Sequence, residues 1–179
     1  TAFTNKVDFA VIFTVNKANP NGDPLSGNQP RIDFKGFGEV SDVCIKRKIR
    51  NRLQDMGENI FVQSDERSSD GFKSLSERAS NNKELKAVLK DREAYAAAAC
   101  KQWTDVRAFG QVFAFKTNNV SVGVRGPVSI RTAESINPVV TTDMQITKSV
   151  NSEPSEKRSS DTMGMKHRVD FGLYVCKGS

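Results

Sequence analysis

"VDFAVIFTVNKANPNGDPLSGNQPRID", Val7 to Asp33, joins two kinds of local order in one stretch. Val7, Phe9, Val11, Phe13 and Val15 alternate with Asp8, Ala10, Ile12, Thr14 and Asn16. That period of two predicts a strand with one strongly buried face and a mixed second face. From Lys17 to Asp33 the chain then packs three prolines, two glycines and three asparagines into a loop. Asx turns and fixed φ angles account for that composition. Turn chemistry explains the loop's shape and leaves its partner open.

A helix is predicted next, over Glu39 to Leu53, with Ser41 as N-cap and Asp42 in the first turn. Ile45, Ile49 and Leu53 recur at i, i+4 and i+8, so one stripe faces the core. Five of the seven residues in "KRKIRNR", Lys46 to Arg52, are basic. Lys46 with Arg50, and Lys48 with Arg52, stand at i+4, where like charges repel by a few tenths of a kcal/mol, roughly, per pair. An anionic ligand would relieve that repulsion. Pairing of Asp42 with Lys46, and basic residues near a helix C-terminus, explain the run without one.

Further on, Gln63 to Asn82 is polar throughout and reads as an exposed connection or mobile insertion. Asn82 to about Val106 is helical through Leu85, Val88, Leu89, Ala96, Ala99 and Trp103. "QVFAFK", Gln111 to Lys116, and "NNVSVGVRG", Asn118 to Gly126, read as two strands joined by a turn. An irregular strand is expected near Pro127 to Thr132, and a regular one over Asp143 to Val150. A polar loop near 151–162 precedes a last strand, in which Val169, Phe171, Leu173 and Val175 alternate. This order predicts one α+β domain over residues 1–179, with an antiparallel sheet and helices packed on one face.

At 179 residues the chain is long enough for a single sizeable core, and 37% hydrophobic with 27% charged residues is an ordinary globular balance. A net charge of +6 favours partners rich in phosphate. No apolar run approaches the roughly 20 residues of a bilayer-spanning helix. No segment has the parts of a secretory signal, and a cytoplasmic protein is expected. Cys44, Cys100 and Cys176 are odd in number and far apart, so no disulfide framework is predicted. With His167 as the one histidine, the chain lacks the donors for a Cys/His zinc site. No metal or other cofactor is expected.

"NPNGDPLSGNQPRID" followed by "VSDVCIKRKIRNRL" resembles the crRNA-binding backbone subunit of the type I-C CRISPR interference complex (Cascade), the seventh Cas protein of the RAMP superfamily. Four further segments fit in the same order: "IFVQ" at Ile60, "DVRAFGQV" at Asp105, "VRGPVSIRTAESINPV" at Val124 and "TMGMKHRVDFGLY" at Thr162. The type I-B subunit shares the first loop and is next nearest. The resemblance implies a modified RRM-like, ferredoxin-like fold with insertions described as palm, fingers and thumb. It implies partners too: crRNA, the target DNA strand, further copies in a head-to-tail filament, and the fifth and eighth Cas proteins. Family members continue into a largely helical C-terminal region, which is expected to be absent here. Met165 stands where the family more often has a basic residue.

Guide spacers differ in sequence, so such a subunit grips the sugar-phosphate backbone with cations, backbone amides and amide side chains. The candidates are Lys46, Lys48 and Arg50, then Arg31, Arg107, Arg125 and Arg131, with Lys166 and His167 near the end. In the loop, Asn19, Asn21 and Gly22 offer side-chain or backbone donors, the glycine allowing close approach. No RNP1-type aromatic run appears, so Phe9, Phe13, Phe171 and Trp103 are expected in the core. The type I resemblance implies no catalysis. The alternative is a metal-dependent endoribonuclease using a loop aspartate, Asp23 or Asp33.

Overall fold

A computed structural model describes residues 4–115, 120–147 and 163–179. The chain divides into two compact units. One is built on Asp8–Cys44 and Arg131–Lys177, the other chiefly on Ile45–Ile130.

The first unit is a five-stranded sheet. β1 (Phe9–Ala18), β4 (Phe37–Val40), β7 (Ala133–Pro138) and β9 (Met163–Gly178) lie in the order β1-β9-β7-β4, and β8 (Thr141–Thr147) also pairs with β9. β4 with β7, β7 with β9 and β8 with β9 are all antiparallel. The 17–33 loop carries its own two-stranded pair, β2 (Gly22–Asp23) with β3 (Gln29–Pro30). Tyr174 is the centre of this unit, fully buried and stacked on Phe13 with ring centroids 5.5 Å apart. Its hydroxyl lies where a Cβ at Gly38 would sit, so β4 fits over the ring only because residue 38 has no side chain.

Two strand expectations are corrected. On β1 the odd face is buried only at its end: Val15 is covered, while Val11 is 49% exposed. β1 is at the edge of the sheet order, and an edge strand has one neighbour to shield it. On β9 the alternation breaks. Val169 is buried, then Gly172, Tyr174 and Cys176 are, and Phe171 is 60% exposed and not in the core. β9 pairs with β8 as far as Val169 and with β7 at Tyr174 and Val175, so its two halves answer to different neighbours. A period-two reading assumes one register along the whole strand.

α1 (Asp42–Asp55) starts as expected at Ser41, whose hydroxyl accepts the Cys44 N–H at 3.2 Å. The strand before it, β4, carries residues assigned from sequence to the helix.

In the second unit, α2 (Leu75–Asn81), α3 (Lys83–Ala87), α4 (Arg92–Gln102) and α5 (Thr104–Phe109) surround a hairpin of β5 (Gly110–Phe115) and β6 (Val120–Arg125). Phe113 is its hub, with Phe61 at 5.1 Å and Tyr95 at 5.4 Å between ring centroids. The single helix expected over 82–106 is three helices. Asp91 caps a fresh start by accepting the Glu93 and Ala94 N–H groups, and Trp103, in extended conformation, ends α4 with its side chain in the core. The irregular strand expected at Pro127 to Thr132 is one bridge, Ile130 to Gly178, and the strand proper is β7.

The polar stretch 63–82 is ordered rather than a bare connection. Arg78, 5% exposed, is bonded to the Asp70 carboxylate and donates to the Phe61 and Phe72 carbonyls. A buried arginine needs several acceptors, and here they are the Asp70 carboxylate and two backbone carbonyls. The loop expected at 151–162, residues 148–150 of the strand before it, and residues 116–119, where the two hairpin strands are expected to join, lie outside the described residues.

Candidate nucleic-acid interface

The 17–33 loop is a set of interlocked turns. Asp23 accepts from the Leu25 N–H at 3.2 Å and the Ser26 hydroxyl at 3.3 Å, opening a short 3-10 turn, and Arg31 Nη2 reaches its Oδ1 at 3.3 Å. Asn19 donates to the Asn28 carbonyl at 2.7 Å. Asn21 accepts the Ser41 N–H at 2.9 Å, while Cys44 Sγ donates to the Pro20 carbonyl at 3.6 Å. The loop is thereby fastened to the first residues of α1. Gly22 does have a close neighbour, and it is internal: a Cβ there would collide with the Asn28 side chain.

Two buried atoms of this loop, Asn19 Oδ1 and Arg31 Nε, have no hydrogen-bond partner among the described residues. Buried polar atoms are nearly always paired, so each is a place where a ligand or a water is wanted.

A residue not selected from sequence joins this loop to the far end of the chain. Asp143 on β8 stands opposite His167 on β9, and its Oδ1 is 2.6 Å from His167 Nδ1. Its other oxygen, Oδ2, accepts from Gln29 Nε2 at 3.3 Å. One carboxylate thus binds the histidine of "MGMKH" and the exit of the Pro/Gly loop, 114 residues away. Strand alternation alone shows that Asp143 and His167 each lie on a strand; only the register makes them partners. Lys166 is exposed next to them on β9. Arg131, also exposed, precedes β7 and borders an open groove of about 500 Å³ with Thr132, Glu134, Ile136, Val175 and Lys177.

The remaining candidates belong to the second unit. On α1, Lys48 is exposed and Lys46 half-buried. Arg50 turns inward: its Nε donates to Asp105 Oδ2 at 2.9 Å, and its guanidinium carbon is 5.2 Å from the Phe109 ring centre. Asp105 is fully buried and also accepts the Phe61 N–H at 2.7 Å and the Val62 N–H at 3.1 Å. A carboxylate between Trp103 and Val106 at an apolar helix end was the available sign of this buried pair. Arg107 and Arg125 are exposed beside the hairpin base. There Gly110, at φ +79°, and Gly126 interlock so closely that a Cβ on either would strike the other's backbone. "DVRAFGQV" and "VRGPVSIRT" therefore meet as backbone against backbone.

The two aspartates weighed as catalytic are both engaged in turns. Asp23 caps as above, and Asp33 Oδ1 accepts the Lys35 and Phe37 N–H groups, each at 2.8 Å. Among the described residues no group of three or more His, Cys, Asp or Glu side chains is placed to hold a metal ion. The Cys100 and Cys176 thiols have pKa values raised by burial. No helix among the described residues is long and apolar enough to cross a membrane.

Three comparisons bear on this arrangement. The family described as "CRISPR-associated protein Cas7" matches residues 5–179. A CRISPR-associated protein Cas7 of Haloferax volcanii is 30% identical over 150 residues, which is 75% of this chain and 44% of the relative. The chain thus spans less than half the length of that relative. Among solved structures, a chain of a CRISPR RNA-guided surveillance complex, pre-nicking, superposes with a TM-score of 0.52 over 96% of this chain and 60% of that one. At 19% identity this likeness speaks for the fold, which is the mixed antiparallel α+β arrangement described above. The match across nearly all of its length shows that the chain belongs to the Cas7 family.

Proposed function

We propose that this chain is a crRNA-binding backbone subunit of a type I CRISPR surveillance complex and that it performs no cleavage itself. The observation that carries the reading is the meeting of the 17–33 loop and His167 on Asp143, within one compact unit of a Cas7-family chain. Around that junction stand amides (Asn19, Asn21) and cations (Arg31, Lys166). This inventory suits a sugar-phosphate backbone better than base edges. Arg131 adds a cation on the same unit, Lys46, Lys48, Arg107 and Arg125 are cationic candidates on the other unit, and Arg50 acts chiefly through Asp105. Stacked head to tail, copies would hold the guide for hybridisation with target DNA, together with the fifth and eighth Cas proteins in the cytoplasm. "DVCIKRKIRN" favours type I-C over type I-B.

The test is binding of the purified chain to several unrelated single-stranded RNAs across a salt series. Similar affinities, falling steeply with salt, are expected. Tight binding to one sequence alone would overturn the reading, as would Mg²⁺-dependent cleavage of labelled RNA that an Asp23→Ala or Asp33→Ala change abolishes. Co-expression with a guide RNA should yield regularly spaced helical particles in the electron microscope.

A further inference from the structure

We propose that His167 recognises the ribose 2′-hydroxyl of a bound strand, and that Asp143 is the positioning residue that holds its ring in the accepting form. The inference rests on the RNA-binding reading above and names the group that separates RNA from DNA.

The argument begins with the ring. A neutral imidazole carries one N–H, and its other nitrogen is an acceptor. Asp143 Oδ1, 2.6 Å from Nδ1, can only accept while ionised, so it draws that one proton to Nδ1. Nε2 is then left with a lone pair. The same logic fixes histidine tautomers at metal centres, where a carboxylate on one nitrogen presents the other. The ring is mostly covered, with 11% of the side chain open, which limits its rotation. Asp143 cannot swing away freely either, because Gln29 holds its second oxygen at 3.3 Å. Gln29 also belongs to the loop that carries Asn19, Asn21 and Arg31, so the ring and those side chains are held at one place.

An accepting nitrogen does not suit a phosphate, which offers acceptors only. A protein that takes many guide sequences cannot depend on exocyclic amines either, since these change from base to base. On the backbone, the 2′-hydroxyl is the donor repeated at every ribonucleotide, and deoxyribose lacks it. An acceptor beside a sequence-independent grip is therefore matched to RNA. Met165, two residues along β9 on the same face, adds no competing donor.

The chain has one histidine, so one signal reports on it. In chain labelled with ¹⁵N-histidine, with the ring read in its neutral form, Nδ1 should carry the proton and Nε2 should be the bare nitrogen. Asp143→Ala should shift the ring toward the Nε2–H tautomer, and so should the isosteric Asp143→Asn, whose one oxygen is taken by the Gln29 donor so that its amide N–H faces Nδ1. In binding, wild type should prefer a single-stranded RNA over the 2′-deoxy strand of the same bases. His167→Ala, Asp143→Ala and Asp143→Asn should each cut that preference by about five-fold, the worth of one hydrogen bond. An Nε2–H tautomer in wild type overturns the inference, and so does a preference unchanged by His167→Ala. If the chain binds RNA and its deoxy counterpart equally, this inference alone fails. If it binds neither strand, the RNA-binding reading fails with it.

Discussion

Arg50 and Asp105, 55 positions apart, form an ion pair 2.9 Å long in which the Asp105 side chain is 1% and the Arg50 side chain 14% exposed. Asp105 also holds the Phe61 and Val62 amides in the same grip, so one side chain ties α1 and α5 to the segment that enters the aromatic core.

 Removing that carboxylate would leave a buried cation and two amide donors without an acceptor. Asp105→Ala is expected to cost about 3–5 kcal/mol of unfolding free energy, read as a lower urea midpoint at unchanged slope. A loss below about 1 kcal/mol would show that the pair is not structural.

The interlock of Gly110 and Gly126 makes a second prediction. Gly110 has a left-handed φ of +79°, and a Cβ there would meet the Val124 carbonyl and the Gly126 N–H. Gly110→Ala should lower stability by about 1–3 kcal/mol. Gly123, on the same hairpin, faces open space, and Gly123→Ala should stay within about 0.5 kcal/mol of wild type. Thermal unfolding of the two variants side by side separates local strain from a general intolerance of the hairpin.

Lys48 is exposed on α1 and is the simplest of the cationic candidates to remove. Lys48→Ala should weaken binding to all single-stranded RNAs alike. It should also reduce the steepness of the log affinity against log salt plot by about 0.7, the share of one phosphate contact. A change confined to one RNA sequence would contradict a backbone contact.

Asp70 sets an acid dependence. Hydrogen bonding from Arg78 is the main cause that lowers its pKa below the ordinary 3.8, against an opposing effect of burial. A carboxylate lowered in the folded state adds stability that is fully present above its unfolded value and disappears as pH falls through the folded one. The urea midpoint of Asp70→Asn should therefore lie below wild type by a constant margin at neutral pH. That margin should close below pH 3.8. A margin independent of pH down to the acid limit would remove the ion pair from the account.

Much of the local structure could be read from residue order. Ser41 caps α1 because its hydroxyl satisfies the Cys44 amide three residues on, a contact written in a four-residue stretch. The β5–β6 hairpin follows from two alternating runs close in sequence. The division of the 82–106 region was hidden, since Trp103 has a helix-compatible place in the apolar pattern and breaks the helix only because the core takes its ring. Arg78 was hidden for the opposite reason: a polar composition looks solvent-exposed until its acceptors are known to be nearby.

The candidate site divides along the same line. Amide- and cation-rich segments, the α+β class and the turn-rich loop follow from the sequence alone, because they depend on side-chain type and on neighbours within a few residues. The partnership of Gln29, Asp143 and His167 depends on the register between β8 and β9 and on where a loop comes to rest. So does the inward turn of Arg50 toward Asp105. Those pairings were decided only in the tertiary structure, since a shift of one residue in a strand sends each side chain to the other face and gives it a different partner.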